Sequence, residues 1–164
     1  MTMTDTRDTA GVIAPPPLLA LAVVVIGLAL DWLLPAYLLR VLLTWPERIA
    51  IAVVLIGAGA ALAIPAMRGF RSAGTHVEPW KPSTALVIDG IFGRLRNPMY
   101  VGATFGLTGI ATLLASDWML VMVVIFVPVI HFGVVKREER YLEAKFGDAY
   151  RQYSARVPRY GIPS

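Results

Sequence analysis

Four stretches of this chain contain no lysine, arginine or glutamate and are each long enough to cross a bilayer core. They run over Pro17–Leu34 (interrupted by Asp31 near its end), Ile49–Met67, Met99–Ser116 and Trp118–Val135. A membrane-spanning helix takes roughly 17–25 predominantly apolar residues. Hydrocarbon leaves no water to satisfy backbone amides, so such segments must be helical. The sequence therefore predicts an all-α integral membrane protein with about four transmembrane helices. Composition agrees: 57% of the 164 residues are hydrophobic and only 16% are charged, against about a quarter in soluble domains. The first stretch has no basic leader and no small-residue cleavage site, so it is expected to be a retained span and not a signal peptide.

The chain has no cysteine, which excludes disulfides, thiolate catalysis, zinc–thiolate and iron–sulfur centres; no metal site is expected. The net charge of +4 is not a nucleic-acid footprint, because the basic residues flank the apolar stretches. Thirteen of the fifteen lysines and arginines fall before the first stretch, between the second and third, or after the fourth; Arg40 and Arg48 lie between the first and second. By the positive-inside rule, both termini and the loop Arg68–Asn97 face the cytoplasm, from the inner membrane.

Along the chain, residues 1–16 read as a disordered N-terminus. Residues 17–66 read as two spans joined through an interfacial connection, Asp31–Arg48, carrying Trp32, Tyr37 and Trp45. Gly57-Ala58-Gly59-Ala60-Ala61 suits close helix packing. Residues 67–164 form the second unit. The third and fourth spans abut at Ser116-Asp117, which predicts a tight antiparallel hairpin that returns Glu138 to the level of Tyr100. Beyond Lys136, the spacing Glu138–Tyr141–Leu142–Lys145–Phe146 predicts a helix continuing into water, bent or ended at Gly147. Tyr150, Tyr153 and Val157 would lie back on the cytoplasmic face.

Three features carry candidate chemistry. Arg96-Asn97-Pro98 reads as a helix start, with Asn97 as N-cap and Pro98 at the first helical position. The amides of Met99, Tyr100 and Val101 would then face an anion, with Arg96 beside them. Glu138-Glu139 closes the fourth span. His131 lies seven residues before Glu138, about 20° from the same face of a regular α-helix, and a polar residue at that depth is a functional candidate. Each has an ordinary structural reading as well: a capped helix with a snorkelling arginine, surface acids paired with Lys136, Arg137 and Arg140, and a hydrogen-bonded histidine. Together, an anion site, two carboxylates and an apolar slot match S-adenosylmethionine, and in part a zwitterionic lipid headgroup.

Two separated segments resemble the isoprenylcysteine carboxyl methyltransferase family, whose wider group includes phospholipid N-methyltransferases. One is Lys81-Pro82-Ser83-Thr84-x-Leu86-Val87-x-x-Gly90 followed by Arg96-Asn97-Pro98-Met99-Tyr100-x-Gly102. The other is Glu138-Glu139-x-x-Leu142-x-x-x-Phe146-Gly147-x-x-Tyr150-x-x-Tyr153-x-x-x-Val157-Pro158. The similarity covers roughly residues 68–160, in a short bacterial-type form. It implies an S-adenosylmethionine-dependent membrane methyltransferase, releasing S-adenosylhomocysteine. Cofactor contacts are implied for Asn97, Pro98, Tyr100, Gly102, Glu138 and Glu139, with Arg96 and Glu139 at the transfer site; Leu86, Val87 and His131 join the expected cofactor set. Asn97 stands where many relatives have histidine and cannot act as a base.

The acceptor is expected to be a lipid or other lipophilic small molecule entering sideways from the bilayer, methylated at a carboxylate held by Arg96. The loop Arg68–Asn97 would act as a lid. Alternatives are a phospholipid or amine N-methyltransferase, with Glu139 or His131 as base, and a non-catalytic membrane protein on the same scaffold.

Overall fold

A computed structural model describes residues 8–161. It is all-helical, with no strand among the described residues. The helices are α1 (Pro16–Leu33), α2 (Leu38–Leu42), α3 (Trp45–Ser72), α4 (Pro98–Leu114), α5 (Asp117–Ile130), α6 (Lys136–Phe146) and α7 (Asp148–Arg156). A 3₁₀ turn, Gly90–Gly93, precedes α4, and a π-helical segment, His131–Val135, joins α5 to α6 without a break. Three helices are long and apolar enough to cross a membrane: α1, α3 and the continuous Asp117–Phe146 rod; α4 is a shorter apolar helix of 17 residues. Large apolar side chains such as Leu21, Val25, Val54 and Val124 stay exposed on the bundle, as expected where the surrounding solvent is lipid.

Two glycine contacts set how closely the spans approach. A Cβ on Gly59 would meet the Gly102 carbonyl oxygen at 2.6 Å, and one on Gly102 would meet that of Gly59 at 2.7 Å. Backbones of α3 and α4 thus touch directly, the small-residue packing that membrane helices favour. Gly27 of α1 plays the same part against Met119 of α5, at 2.6 Å. α4 and α5 form the expected hairpin. Ala115 takes the left-handed conformation (φ 51°) and Ser116 caps α5 by accepting from the Met119 amide at 3.1 Å. Val23, Leu107, Met119, Val123, Phe126 and Ile130 form the core between α1, α4 and α5.

The end of the bundle bearing this hairpin is tied by acids. Asp31 accepts from the Ser116 hydroxyl and the Trp118 amide, while Asp117 accepts from the Leu38 and Leu39 amides at 2.9 and 3.0 Å. Capping the first turn of α2 in this way fixes a five-residue helix too short to persist alone.

At the other end, Gly147 (φ 54°) separates α6 from α7, and Tyr150 and Tyr153 are buried, as the apolar stripe predicts. The Tyr153 hydroxyl donates to the Phe92 carbonyl at 2.8 Å, pinning α7 to the 3₁₀ turn. α3 runs five residues beyond the expected Met67, so the loop shortens to 73–97. The N-terminal segment, residues 1–16, is expected from its sequence to be disordered, and part of it makes contacts with the bundle. Its first seven residues lie outside the described ones, but residues 8–15 are held in place. Ile13 donates to the Gly133 carbonyl at 3.1 Å, Arg137 donates to the Gly11 carbonyl at 2.8 Å, and Lys145 pairs with Asp8 at 2.6 Å. Composition hides this because the partners come from α6 and the π segment, more than a hundred residues away.

Candidate functional site

The hairpin brings the start of α4 against the start of α6. Pro98 opens α4 as predicted, but Asn97 does not cap it with its side chain; its Nδ2 instead donates to the Arg159 carbonyl at 3.3 Å. Asn97 is buried, and its amide ties the C-terminal tail to the helix start. From the first turn of α4, the Tyr100 hydroxyl donates to Glu138 Oε2 at 2.9 Å. The neighbouring Glu139 takes part in a cluster of three charges. Arg96 Nη1 donates to Glu139 Oε1 at 2.7 Å, and Arg159 grips the same carboxylate with two bonds of 2.8 and 2.7 Å. Arg96 is held further by the Val157 carbonyl at 3.0 Å and the Tyr150 hydroxyl at 3.3 Å. Burial, reinforced by the charge of Glu139, pushes the Tyr150 hydroxyl up to about 12, so it remains a neutral donor or acceptor. Hydrogen bonding to Glu139 pushes the Arg159 guanidinium further up, so it remains a cation.

Two adjoining cavities meet at this cluster. The outer one, about 240 Å³, lies beside Pro16, Pro17 and Ala20 of α1 and is closed by Phe70, Trp80, Met99 and Tyr100. The inner one is a narrow slot of about 50 Å³ lined by Leu86, Val87, Leu142 and Tyr150 with Glu138 and Glu139. Arg96, Asn97, Glu78 and Glu138 line both. Apolar walls with a few convergent charges are the usual form of a small-molecule site.

Of the residues expected from sequence, Arg96, Asn97, Leu86, Val87, Glu138 and Glu139 converge on the inner slot, and Pro98 and Tyr100 on the outer cavity. Gly102 and His131 are placed elsewhere. Gly102 faces Gly59, where it permits the α3–α4 contact. His131 lies 2.7 Å from the Tyr160 hydroxyl. A π-helical segment covers His131–Val135, so the regular α period that relates His131 to Glu138 does not hold between them. Pro128, one turn before, leaves the i–4 pattern short of a donor at that point.

Three participants escape the sequence reading. Arg159 completes the charge cluster, and Glu78 and Trp80 line the outer cavity. Arg159 directly follows the Val157-Pro158 end of the second quoted segment; nothing in its own spacing marks it.

The model of the phospholipid methyltransferase family matches residues 47–149, well over half the chain. The chain belongs to this family. The match takes in all but the first two residues of α3, the loop, the hairpin, α6, and Arg96 and Glu139 of the charge cluster, but not Arg159. Among curated proteins, protein-S-isoprenylcysteine O-methyltransferase of Schizosaccharomyces pombe is 36% identical over 78 residues, which are 48% of this chain and 33% of that protein. An uncharacterized protein of Haemophilus influenzae is 53% identical over 38 residues, 23% of this chain and 60% of that protein. The chain thus spans a third of the first relative and three fifths of the second. No solved structure matches it. Family and relative together place the chain among membrane methyltransferases.

Proposed function

We propose that this phospholipid methyltransferase family member uses S-adenosylmethionine to methylate a carboxylate on a lipophilic acceptor drawn from the bilayer. The donor set of the inner slot suits that cofactor. Glu138 and Glu139 answer its cationic groups and hydroxyls, and Leu86, Val87 and Leu142 offer apolar contact to a flat base. The slot is narrow, so the loop 73–97 must part to admit a nucleoside. When bound, the cofactor supplies an electrophilic methyl group on a sulfonium.

The observation that carries the acceptor assignment is the charge cluster. One carboxylate, Glu139, is shared by two guanidiniums, so it neutralises only one of them and this three-residue cluster keeps one positive charge. Arg96 lines both cavities and is the cation placed to orient an acceptor carboxylate. Such an acceptor is already ionised, so no base is required. Orientation and exclusion of water carry the rate, and positioning alone contributes on the order of 7–11 kcal/mol in well-aligned systems. Phe70, Phe92 and Trp80 shield the junction from water, and Pro17 and Ala20 of α1 border the outer cavity for lateral entry. The charge distribution supports a cytoplasmic placement of this end.

A second reading has support in the same cavity. Glu78 and Glu138 both line it and offer acceptors for the proton of an amine, which suits N-methylation of a headgroup. Purified protein incubated with methyl-labelled cofactor and membrane lipids separates the two. Label released by mild alkali as volatile methanol identifies an ester; label that stays with the lipid identifies an N-methyl product. Absence of both transfer and cofactor binding overturns the enzyme assignment.

A further inference from the structure

We propose that the end of the bundle opposite the catalytic cavities carries a phosphate site for an anionic phospholipid, built from Arg40 and Arg48. An open groove of about 670 Å³ lies there, lined by Arg40, Trp45, Arg48, Ile49, Leu113 and Leu114. The groove stands between the first turn of α3 and the last residues of α4, and Arg40 brings α2 to its edge.

The two arginines are uncommitted, although three acids lie nearby. Asp31 is bound to Ser116 and Trp118, Glu47 accepts from the Thr44 amide and hydroxyl at 2.7 Å each, and Asp117 caps α2. Neither Arg40 nor Arg48 forms an ion pair among the described residues. Arg48 Nε is enclosed and has no hydrogen-bond partner. A charged group with an unmet donor is costly to hold, and an anion in the groove that Arg48 lines offsets part of that cost. Each guanidinium stacks on a ring: Arg40 lies 5.6 Å from the Tyr37 centroid and Arg48 lies 5.0 Å from that of Trp45. Stacking fixes the guanidinium planes, and no Nη of either arginine donates to a described residue, the arrangement that suits phosphate oxygens.

The groove continues as an apolar track, which selects a lipid over a free anion. Ile49 and Val53 follow one face of α3 at helical spacing, Leu114 and Ile110 do the same on α4, and all four are exposed. A headgroup phosphate at the arginines would thus place its acyl chains along both helices, in hydrocarbon already. Trp45 and Tyr37 mark the headgroup level, where aromatic residues gather. Since this site stands apart from the catalytic cavities, it does not rest on the methyltransferase reading.

Native mass spectrometry of the full chain, released from detergent after titration with phosphatidylglycerol, tests the proposal. Wild type should retain the lipid, and Arg40→Gln/Arg48→Gln should retain about tenfold less, as expected for losing charge-assisted hydrogen bonds. Arg68→Gln, at the other end of α3, should match wild type. Diacylglycerol with the same chains, and inorganic phosphate, should bind far less. Equal retention by the double variant overturns the proposal. Diacylglycerol matching phosphatidylglycerol reduces the groove to an apolar surface, and inorganic phosphate protecting against unfolding as well as the lipid makes it a free-anion site; either result defeats the lipid assignment. If the double variant does not fold, the single Arg40→Gln, an exposed position, carries the comparison.

Discussion

Replacing Glu139 by alanine removes the carboxylate that Arg96 and Arg159 share, and the structure sets what that should cost. The side chains of Arg96 and Glu139 are 11% and 14% exposed, while that of Arg159 is 32% exposed. Breaking a buried ion pair from one side typically costs about 3–5 kcal/mol, because the partner charge stays buried. Arg159 can recover much of its hydration, so its share approaches the roughly 0–1 kcal/mol of surface pairs. Arg96 cannot, although the Val157 carbonyl and Tyr150 hydroxyl still accept from it. The expected loss is therefore near the lower bound, about 3 kcal/mol. At about 2–4 °C per kcal/mol for a chain of this size, the midpoint of a thermal scan in detergent should fall by roughly 6–12 °C. Adding Arg96→Met to Glu139→Met should restore part of the loss, since the cost lies in the stranded charge. Arg151→Ala, which removes two exposed ion pairs, to Glu143 and Asp148, serves as the control and should shift the midpoint little. A midpoint for Glu139→Ala within about 2 °C of wild type, against the per-kcal scale above, would refute the reasoning.

Further expectations concern single contacts. Gly102→Ala forces a methyl onto the Gly59 carbonyl across α3 and α4; overpacking of this kind costs about 1–3 kcal/mol, read as a lower thermal midpoint with the helical circular dichroism signal retained. Tyr100→Phe removes the hydrogen bond to Glu138; the loss should weaken cofactor affinity roughly ten- to a hundredfold, in keeping with about 1.5–3 kcal/mol for a bond to a charged group, measured by calorimetry. Asp117→Ala uncaps α2 and should cost about 1 kcal/mol, with faster amide exchange at Leu38 and Leu39 as the specific signature.

Much of the frame was legible because membrane spans are written as length and apolarity. The hairpin followed from two apolar runs with no room between them, and the convergence of Tyr100 on Glu138 followed from the hairpin. The Arg96–Asn97–Pro98 helix start was readable, but the task of Asn97 was not: its amide goes to the Arg159 carbonyl, a long-range choice that no local preference encodes. The regular α period misplaced His131, since a π turn is a packing outcome and Pro128 only permits it. Residues 8–15 looked featureless because their binding partners are remote. Arg159 was missed for the same reason, being recruited by a carboxylate twenty residues earlier and by no pattern of its own.

The division of labour between the two cavities is tested most directly by filling each separately. Leu86→Trp should block the inner slot, and Ala20→Trp should block the outer cavity beside α1. Calorimetry with S-adenosylmethionine, alongside methyl transfer to a membrane lipid extract, should find cofactor binding lost in Leu86→Trp. Binding should be kept in Ala20→Trp while transfer disappears. Cofactor binding that survives Leu86→Trp unchanged, or that wild type itself lacks, would contradict the assignment of these cavities.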